Sequence, residues 1–448
     1  MKKAVLFVPA LLLALAATAF AQNVDKGKDR AETVKITVSG SWDLDFIYRE
    51  RALKQFRGGG LQDDESEFAP STWIRLDVEL TDKVSAVMEI GLDALANLGN
   101  QGINPEFGQL YAQLAEAFDP AITIRFGQIW VDFDIRGKGS SIVLDSFWSE
   151  NISLSQSADG RSVADYGFSA GATVEYKRDA ISLMVALLPK INDGSDPSAP
   201  SDDESIYAIM FTYNLDSVGK GSRIGLMFSS FGTAGNETGI LTVGGGADIH
   251  GLIDGLELAL EVFFQFGDAG SAGAPVGTID AGGLAFQFAA RYTFSMDSKP
   301  WVELKITWLS GDDTADDENE NFISREHVRD LMIIEDEVFG VDWDTNMMAI
   351  KLMGGISFSV GSTPNNLHLG LVVGICTANE DVGPVATAED GIGNEVDLKV
   401  TWNYSKAVNV NVGLAFLFGS DIMELAGAPL SAQEDSTWLF TVGADAKW

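Results

Sequence analysis

The chain has 448 residues, with 30 Lys and Arg against 65 Asp and Glu, and a formal net charge of −35. This charge argues against nucleic acid as a partner, because phosphate binding needs clustered Lys and Arg. The single cysteine, Cys376, excludes an internal disulfide framework and any multi-cysteine metal site.

The first 21 residues have the features of a secretory signal peptide. Lys2 and Lys3 give a positive start, and an apolar core follows over residues 5–17. Ala19-Phe20-Ala21 is a small-x-small cleavage site before Gln22. We therefore expect residues 1–21 to be removed and residues 22–33 to form a periplasmic lead-in before the first strand.

The remainder alternates apolar with polar or small residues in runs of about ten. In the first run, Val34, Ile36, Val38 and Trp42 share one parity, which places them on one face of a strand. Nine to eleven residues is the length with which a tilted strand crosses a bilayer. The pattern predicts an all-β fold over residues 34–448, a transmembrane antiparallel up-and-down β-barrel of about eighteen strands, with sixteen as the fallback. The predicted strands lie at 34–49, 71–81, 84–93, 108–117, 121–128, 166–177, 180–189, 204–215, 221–231, 239–250, 255–266, 282–294, 300–310, 346–360, 366–377, 394–404, 407–418 and 437–448.

The connections between these runs alternate short and long. The short ones, such as Thr81-Asp82-Lys83 and Phe118-Asp119-Pro120, carry the residues of tight turns. Outer-membrane barrels have short periplasmic turns and longer extracellular loops. The alternation of short and long connections predicts a bacterial outer-membrane protein with both chain ends in the periplasm. We expect its barrel to contact membrane lipids and lipopolysaccharide. The long connections lie at 50–70, 94–107, 129–165, 190–203, 232–238, 267–281, 311–345, 378–393 and 419–436.

The last run is typical of a closing barrel strand. Trp438, Phe440, Val442 and Trp448 share one face, and an aromatic residue stands at the end. Bacterial barrels characteristically finish on such a strand. We expect this one to be recognised by the barrel-assembly machinery.

The parity of each run separates residues facing lipid from residues facing the lumen. The lipid face must be apolar, as in Ile74, Leu76 and Val78. An eighteen-stranded barrel encloses a lumen too wide for side chains to fill, so we expect water there. Charged residues of the other parity are the predicted pore-lining set: Asp43, Asp45, Arg75, Asp77, Glu79, Arg125, Glu175, Lys177, Glu257, Glu261, Arg291, Glu303, Lys305, Lys351, Glu395, Asp397 and Lys399.

The loop at 129–165 is the longest and carries its own aromatic residues. Such a loop should pack on something. One hypothesis is that it folds inward and narrows the pore, with Asp132, Asp134, Arg136 and Asp145 at the constriction. A cap over the outer mouth is the alternative.

The loop at 311–345 is strongly acidic. Asp312, Asp313, Asp316 and Asp317 are weak candidates for binding a divalent cation. A solvated acidic loop is the favoured interpretation, because EF-hand spacing is missing. Residues 327–334 could form a short helix over the pore. We predict no dedicated metal site and no cofactor.

Several stretches resemble the alginate-export family of outer-membrane barrels. Ser41–Arg49 and Trp73–Leu80 resemble its first two strands, and Trp308–Asp313 resembles the segment that opens a long acidic loop. Gly393–Leu398 resembles the start of its penultimate hairpin. Ile122–Gln128 resembles a strand ending in a Gly-Arg-Gln-like motif, but the Arg is missing. The resemblance implies a monomeric eighteen-stranded barrel that passes an acidic polysaccharide through a lumen rich in Arg and Lys.

The inward set of this chain is at least as acidic as it is basic. We therefore predict a porin for passive diffusion of small hydrophilic solutes, biased toward cations or neutral solutes. The alternatives are an alginate-like polysaccharide exporter, or a structural or adhesive barrel with a plugged lumen. We predict no enzyme, because the three histidines, His250, His327 and His368, stand in no specific nucleophile-and-base pattern. Monomer and trimer both remain open.

Overall fold

The structure is a computed structural model. It describes residues 34–49, 65–93, 104–131, 135, 147–148, 152–153, 171–189, 203–234, 238–268, 280–312, 318–322, 330–335, 343, 345–360, 366–382, 389–419 and 436–448. The strands are β1 Lys35–Arg49, β2 Glu65–Glu79, β3 Val84–Asp93, β4 Asn104–Ala115, β5 Ile122–Gln128, β6 Trp130–Val131, β7 Phe147–Trp148, β8 Ile152–Ser153, β9 Gly171–Arg178, β10 Ile181–Pro189, β11 Asp203–Asn214, β12 Arg223–Ala234, β13 Thr238–His250, β14 Leu256–Asp268, β15 Asp280–Thr293, β16 Trp301–Leu309, β17 Glu318–Asn319, β18 Met347–Ser359, β19 Asn366–Val382, β20 Glu389–Asn403, β21 Val408–Phe418 and β22 Ser436–Lys447.

Eighteen of these strands form one closed antiparallel barrel, which confirms the predicted fold class and strand count. Each long strand pairs with the next long strand in sequence, and β1 pairs with β22 over Ser41–Arg49. At this seam the backbones of Gly40 and Trp448 exchange two hydrogen bonds of 3.0 Å. Gly40 lacks a side chain, so the Trp448 indole can lie over it. The short strands β6, β7, β8 and β17 belong to the loops.

The observed strands follow the predicted ones, but several run further into the predicted loops. β2 begins at Glu65 and not at 71, β19 ends at Val382 and not at 377, and β20 begins at Glu389 and not at 394. The connection predicted at 232–238 is only three residues long, because β12 runs to Ala234 and β13 begins at Thr238. Pairing continues through these ends, with Thr233 opposite Thr238, so the hairpin closes tightly. In the described part of the chain, no helix has the length and apolar character needed to cross a membrane.

The two faces of the barrel wall differ in the way that the two-residue period predicts. Outward apolar side chains are exposed, with Leu226 at 63% and Ile375 at 53%. Their inward neighbours Met227 and Cys376 are buried. A continuous exposed apolar surface of this kind is unfavourable in water and suits the hydrocarbon of a bilayer.

Candidate functional site

The predicted pore-lining residues lie on the inner face of the wall, because they alternate along each strand with the outward apolar residues. Asp43 and Asp45, for example, alternate with the exposed Trp42 and Phe46. Four of the set are fully buried rather than bathed in an open lumen: Glu261, Lys351, Glu395 and Asp397. The expectation of a uniformly water-lined wall is therefore wrong at these four positions, where chain from the loops covers the strands. A pore-lining role for the others stays a prediction.

The covering chain above β16 and β18–β21 is the segment Asp330–Glu335, which we call the lumenal segment. It belongs to the 311–345 loop and forms a turn rather than the expected helix. Leu331, Ile333 and Ile334 are fully buried. Leu331 packs over the inward Gly374, where an added Cβ would lie only 2.8 Å from the leucine methyl carbons. A glycine at this position thus lets the segment approach the wall.

Ion pairs hold both ends of the lumenal segment. The Nζ atoms of Lys305 and Lys351 each lie 2.8 Å from Asp330 Oδ2, and Lys351 Nζ also lies 2.6 Å from Glu335 Oε1. Lys399 donates a hydrogen bond of 2.6 Å to the carbonyl oxygen of Asp330. Burial alone would raise the pKa of Asp330, but the two lysines outweigh it and hold that pKa well below its usual range. Asp330 is therefore a carboxylate.

The middle of the lumenal segment is held by carboxylates from the wall. The amides of Ile333 and Ile334 donate to Glu395 at 2.7 and 2.8 Å, and the amide of Met332 donates to Asp397 at 3.0 Å. These N–H groups have no strand partner, so the acids of β20 satisfy donors that would otherwise be buried without a bond. The segment is thus fixed to the inner wall at both its side chains and its backbone.

The 129–165 loop also reaches the inner wall. Ile135 is fully buried, and an added Cβ at Gly225, an inward position of β12, would lie 2.7 Å from Ile135 Cβ. At this one point of the loop, the contact favours inward folding over a cap on the outer mouth of the barrel. The four proposed constriction residues, Asp132, Asp134, Arg136 and Asp145, lie outside the described residues.

A cavity of about 670 Å³ lies in the inner wall of β4, β5 and β9–β12. Three arginines line it, Arg125, Arg178 and Arg223, and two of them are held by neutral cross-strand partners. Arg125 Nε donates to Gln113 Oε1 at 2.8 Å, and Arg223 Nε donates to Asn214 Oδ1 at 3.2 Å. The neighbouring Lys177, by contrast, forms an ion pair with Glu175.

A different part of the wall is acidic. Asp43 on β1 stands directly opposite Asp445 on β22, and Asp45 is the next inward residue. Asn409 and Asn411 donate to the two oxygens of Asp445 at 2.8 and 3.0 Å. Like charges directly opposite each other are unfavourable in a sheet, and water or cations in the lumen would reduce that cost.

Other inward ions are neutralised within the wall. Arg75 bonds Asp77 and, at 2.7 Å, Glu89. Arg291 Nη1 lies 4.0 Å from Glu303. Three further members of the predicted set lie near strand ends or near Ile135. Glu79 is paired with Lys35, and Glu257 lies 3.6 Å from His250. Glu261 lies beside Gly246, where an added Cβ would be 2.9 Å from Glu261 Cγ and 3.1 Å from Ile135 Cδ1.

The structure describes only one of the four cation candidates, Asp312, whose carboxylate accepts a hydrogen bond from the Glu320 amide. Asp313, Asp316 and Asp317 lie outside the described residues. Within the described ranges, no group of three or more His, Cys, Asp or Glu side chains could hold a metal ion.

His368 has a serine neighbour that the sequence did not reveal. Ser357 on β18 lies opposite it, with Oγ 2.6 Å from Nδ1, and Asn403 Nδ2 lies 2.9 Å from Nε2. With the Asn403 amide as donor, Nε2 accepts and Nδ1 carries the proton. The ring then donates to Ser357 and cannot act as its base.

No protein-family model matches the sequence, and the comparison with curated proteins gives no match either. The resemblance to the alginate-export family therefore has no support beyond the motifs that suggested it. Solved structures do match. Three crystal structures from Pseudomonas aeruginosa are OpdO, OccK11 (OpdR), and OccK2 (OpdF) in complex with glucuronate.

Each of these matches extends over most of both chains. OpdO is 14% identical, with 92% of this chain and 96% of that chain covered and a TM-score of 0.51. OccK11 is 10% identical, with 92% and 95% covered and a TM-score of 0.51. OccK2 is 12% identical, with 92% and 98% covered and a TM-score of 0.53. At such identities the likeness establishes the fold: a closed eighteen-stranded antiparallel barrel.

Proposed function

We propose that the protein is a porin of the bacterial outer membrane, through which small hydrophilic solutes diffuse passively. The observation that carries the proposal is the closed eighteen-stranded barrel with an apolar outer face and a charged inner face. A barrel of this strand number leaves a lumen that side chains of the wall cannot fill. The fold is shared with OccK2, which was solved with glucuronate, a small hydrophilic solute.

We further propose a preference for cations or neutral solutes among permeating species. The formal net charge of −35 gives the whole chain a negative field. The facing carboxylates of Asp43 and Asp445, with Asp45 beside them, add local negative potential on the inner wall. Rings and clusters of carboxylates favour cations in channels.

Export of an alginate-like polymer is a weaker proposal, because a polyanion would have to pass this acidic wall. The lumenal segment also narrows the space available to a chain. The other alternative is a structural or adhesive barrel whose loops plug the lumen. Such a barrel would carry no ionic current across a bilayer.

Planar-bilayer recording of the purified protein tests the proposal. We expect a stable open current and, under a salt gradient, a reversal potential of the sign that indicates cation preference. An open pore with anion preference would contradict the selectivity alone. Absence of current at every voltage would contradict the channel itself.

A further inference from the structure

We infer that docking of the lumenal segment on the barrel wall is pH-sensitive: the segment docks with uptake of one proton, which Glu395 and Asp397 share, and it is released as the pH rises. The effect on conductance rests on the proposed channel, whereas docking itself can be measured without any current. The sensor is the group of charged side chains at the lumenal segment, which we call the buried charge cluster.

The buried charge cluster contains more acids than bases. If all of its groups were ionised, the docked state would have one negative charge in excess. An uncompensated charge is costly to bury, and a carboxylate in that position takes up a proton instead. The cluster consists of four carboxyl groups, on Asp330, Glu335, Glu395 and Asp397, and three ammonium groups, on Lys305, Lys351 and Lys399.

The hydrogen bonds indicate which acids hold the proton. Asp330 and Glu335 each contact a lysine ammonium, at 2.8 and 2.6 Å. Glu395 and Asp397 instead accept backbone amides, and Asp397 Oδ1 is buried without a hydrogen-bond partner in the described part of the chain. The two carboxyl groups lie close enough to interact through a hydrogen bond, which requires a proton between them. One proton on the pair therefore satisfies this oxygen and removes the excess charge.

The strands beside β20 offer the pair no further cation among the described residues. Glu395 stands between Gly374 of β19 and Leu417 of β21. Asp397 stands between Val372 and Ala415, which are apolar as well. The nearby Cys376 contributes a thiol, which adds no positive charge. The lysines of β16, β18 and β20 are already counted in the buried charge cluster.

The sign of the pH dependence follows from the proton count. In the released state the carboxylates of the pair contact water, and their ordinary pKa of about 4 keeps them ionised between pH 5 and pH 8. The docked state then binds one proton more than the released state. A difference of one proton changes the docking equilibrium by up to about tenfold for each pH unit. Docking therefore strengthens as the pH falls through this range, and the gain ends near pH 4, where the released carboxylates also become protonated.

Hydrogen exchange of the Met332, Ile333 and Ile334 amides in the full-length protein tests the inference directly. These amides are bonded to the pair only while the segment is docked. After correction for intrinsic exchange, we expect their protection to be at least tenfold higher at pH 5 than at pH 8. Equal protection at the two pH values, or lower protection at pH 5, would overturn the inference whether or not the protein conducts.

The variant Asp397→Asn assigns the effect to the pair. The new amide keeps an oxygen for the Met332 amide and places an NH₂ group where the shared proton would be, so the cluster is neutral without a proton. Protection of Ile333 and Ile334 should then change less than twofold between pH 5 and pH 8. The control Asp43→Asn removes an inner-wall carboxylate from β1, outside the strands that the lumenal segment covers, and should keep the tenfold change.

A pH dependence in Asp397→Asn as large as in the unmodified protein would overturn the assignment. If that variant does not form a barrel, Lys399→Gln is measured instead. It raises the excess to two negative charges, so the pH dependence should become steeper, and a dependence no steeper than that of the unmodified protein would overturn the assignment.

Single-channel recording connects docking to the proposed channel. Because the docked segment occupies part of the lumen, we expect a lower conductance at pH 5 than at pH 8, and a smaller difference in Asp397→Asn. A pH-dependent exchange with the same conductance change in both proteins would overturn the effect on the pore and leave the docking equilibrium standing. Absence of any current would overturn the porin itself.

Discussion

Replacing Lys351 with methionine should release the lumenal segment from the barrel wall. Lys351 is fully buried and lies 2.8 Å from Asp330 and 2.6 Å from Glu335. Methionine is one atom shorter than lysine and carries no charge, so Glu335 loses this cation and Asp330 keeps only Lys305. Removing one partner of a buried ion pair typically costs about 3–5 kcal/mol. The cost falls on the docked state, because released carboxylates regain water.

Hydrogen exchange of the amides of Met332, Ile333 and Ile334 measures this release. These amides are bonded to Asp397 and Glu395 while the segment is docked. With a tenfold change for each 1.4 kcal/mol, a cost of about 3 kcal/mol lowers their protection roughly 100-fold or more. Lys35→Met is the control, since Lys35 and its partner Glu79 are both largely exposed and such pairs contribute about 1 kcal/mol or less. Protection in Lys351→Met within about threefold of the unmodified protein would refute the reasoning.

Three further predictions concern the same segment. Glu395→Gln replaces a carboxylate that accepts two amide hydrogens with a group that has one acceptor oxygen. The loss of about 1.5–3 kcal/mol for a charged bond should lower the protection of Ile333 and Ile334 roughly 10- to 100-fold, and unchanged exchange would contradict it. Gly374→Val should displace Leu331 and raise the single-channel conductance. Gly370→Val on the same inner face should leave the conductance unchanged, because the nearest atoms lie 3.8 Å from an added Cβ. Equal conductances of the two variants would contradict the prediction. The pKa of Asp330 is lower in the folded protein than its value of about 4 in the unfolded chain. Its ion pairs therefore stabilise docking fully above the unfolded pKa. They are lost only as the pH falls through the lower, folded pKa. Protection of the segment, corrected for intrinsic exchange, should therefore be no lower at pH 5 than at pH 7, and a loss at pH 5 would count against this role of Asp330.

The barrel itself could be predicted from the sequence because its evidence is local. Alternation with a period of two residues assigns each residue of a strand to one face of the sheet, and this assignment does not require knowledge of the neighbouring strands. Val34 to Tyr48 shows this in a single run, and the antiparallel order then follows from short turns such as Thr81–Lys83. The loop at 232–238 was overestimated because strand pairing continued to Thr238 beyond the apolar run.

The lumenal segment could not be predicted because its partners are distant in sequence. Glu395 meets Ile333 across 62 positions and Asp397 meets Met332 across 65. The acids of β20 therefore looked like water-lined residues. One signal was present: Gly374 interrupts the inward parity of β19, and a glycine inside a strand often marks the close approach of another backbone.

The arginine cavity was also beyond the sequence pattern. Parity identified Arg125 as inward, but its bonding to Gln113 rather than to a carboxylate depends on the register between β4 and β5. Register is set by pairing across strands and cannot be read from one strand. Arg223 stood at the edge of its run, beside a turn, and parity alone gave it no role.

The measurement that tests the account most directly is the current carried by the purified full-length protein in a planar lipid bilayer. The account predicts a stable open pore with cation preference, whose conductance rises when Lys351→Met releases the lumenal segment. A protein that inserts into the bilayer and passes no current at any voltage, with or without that substitution, would contradict it.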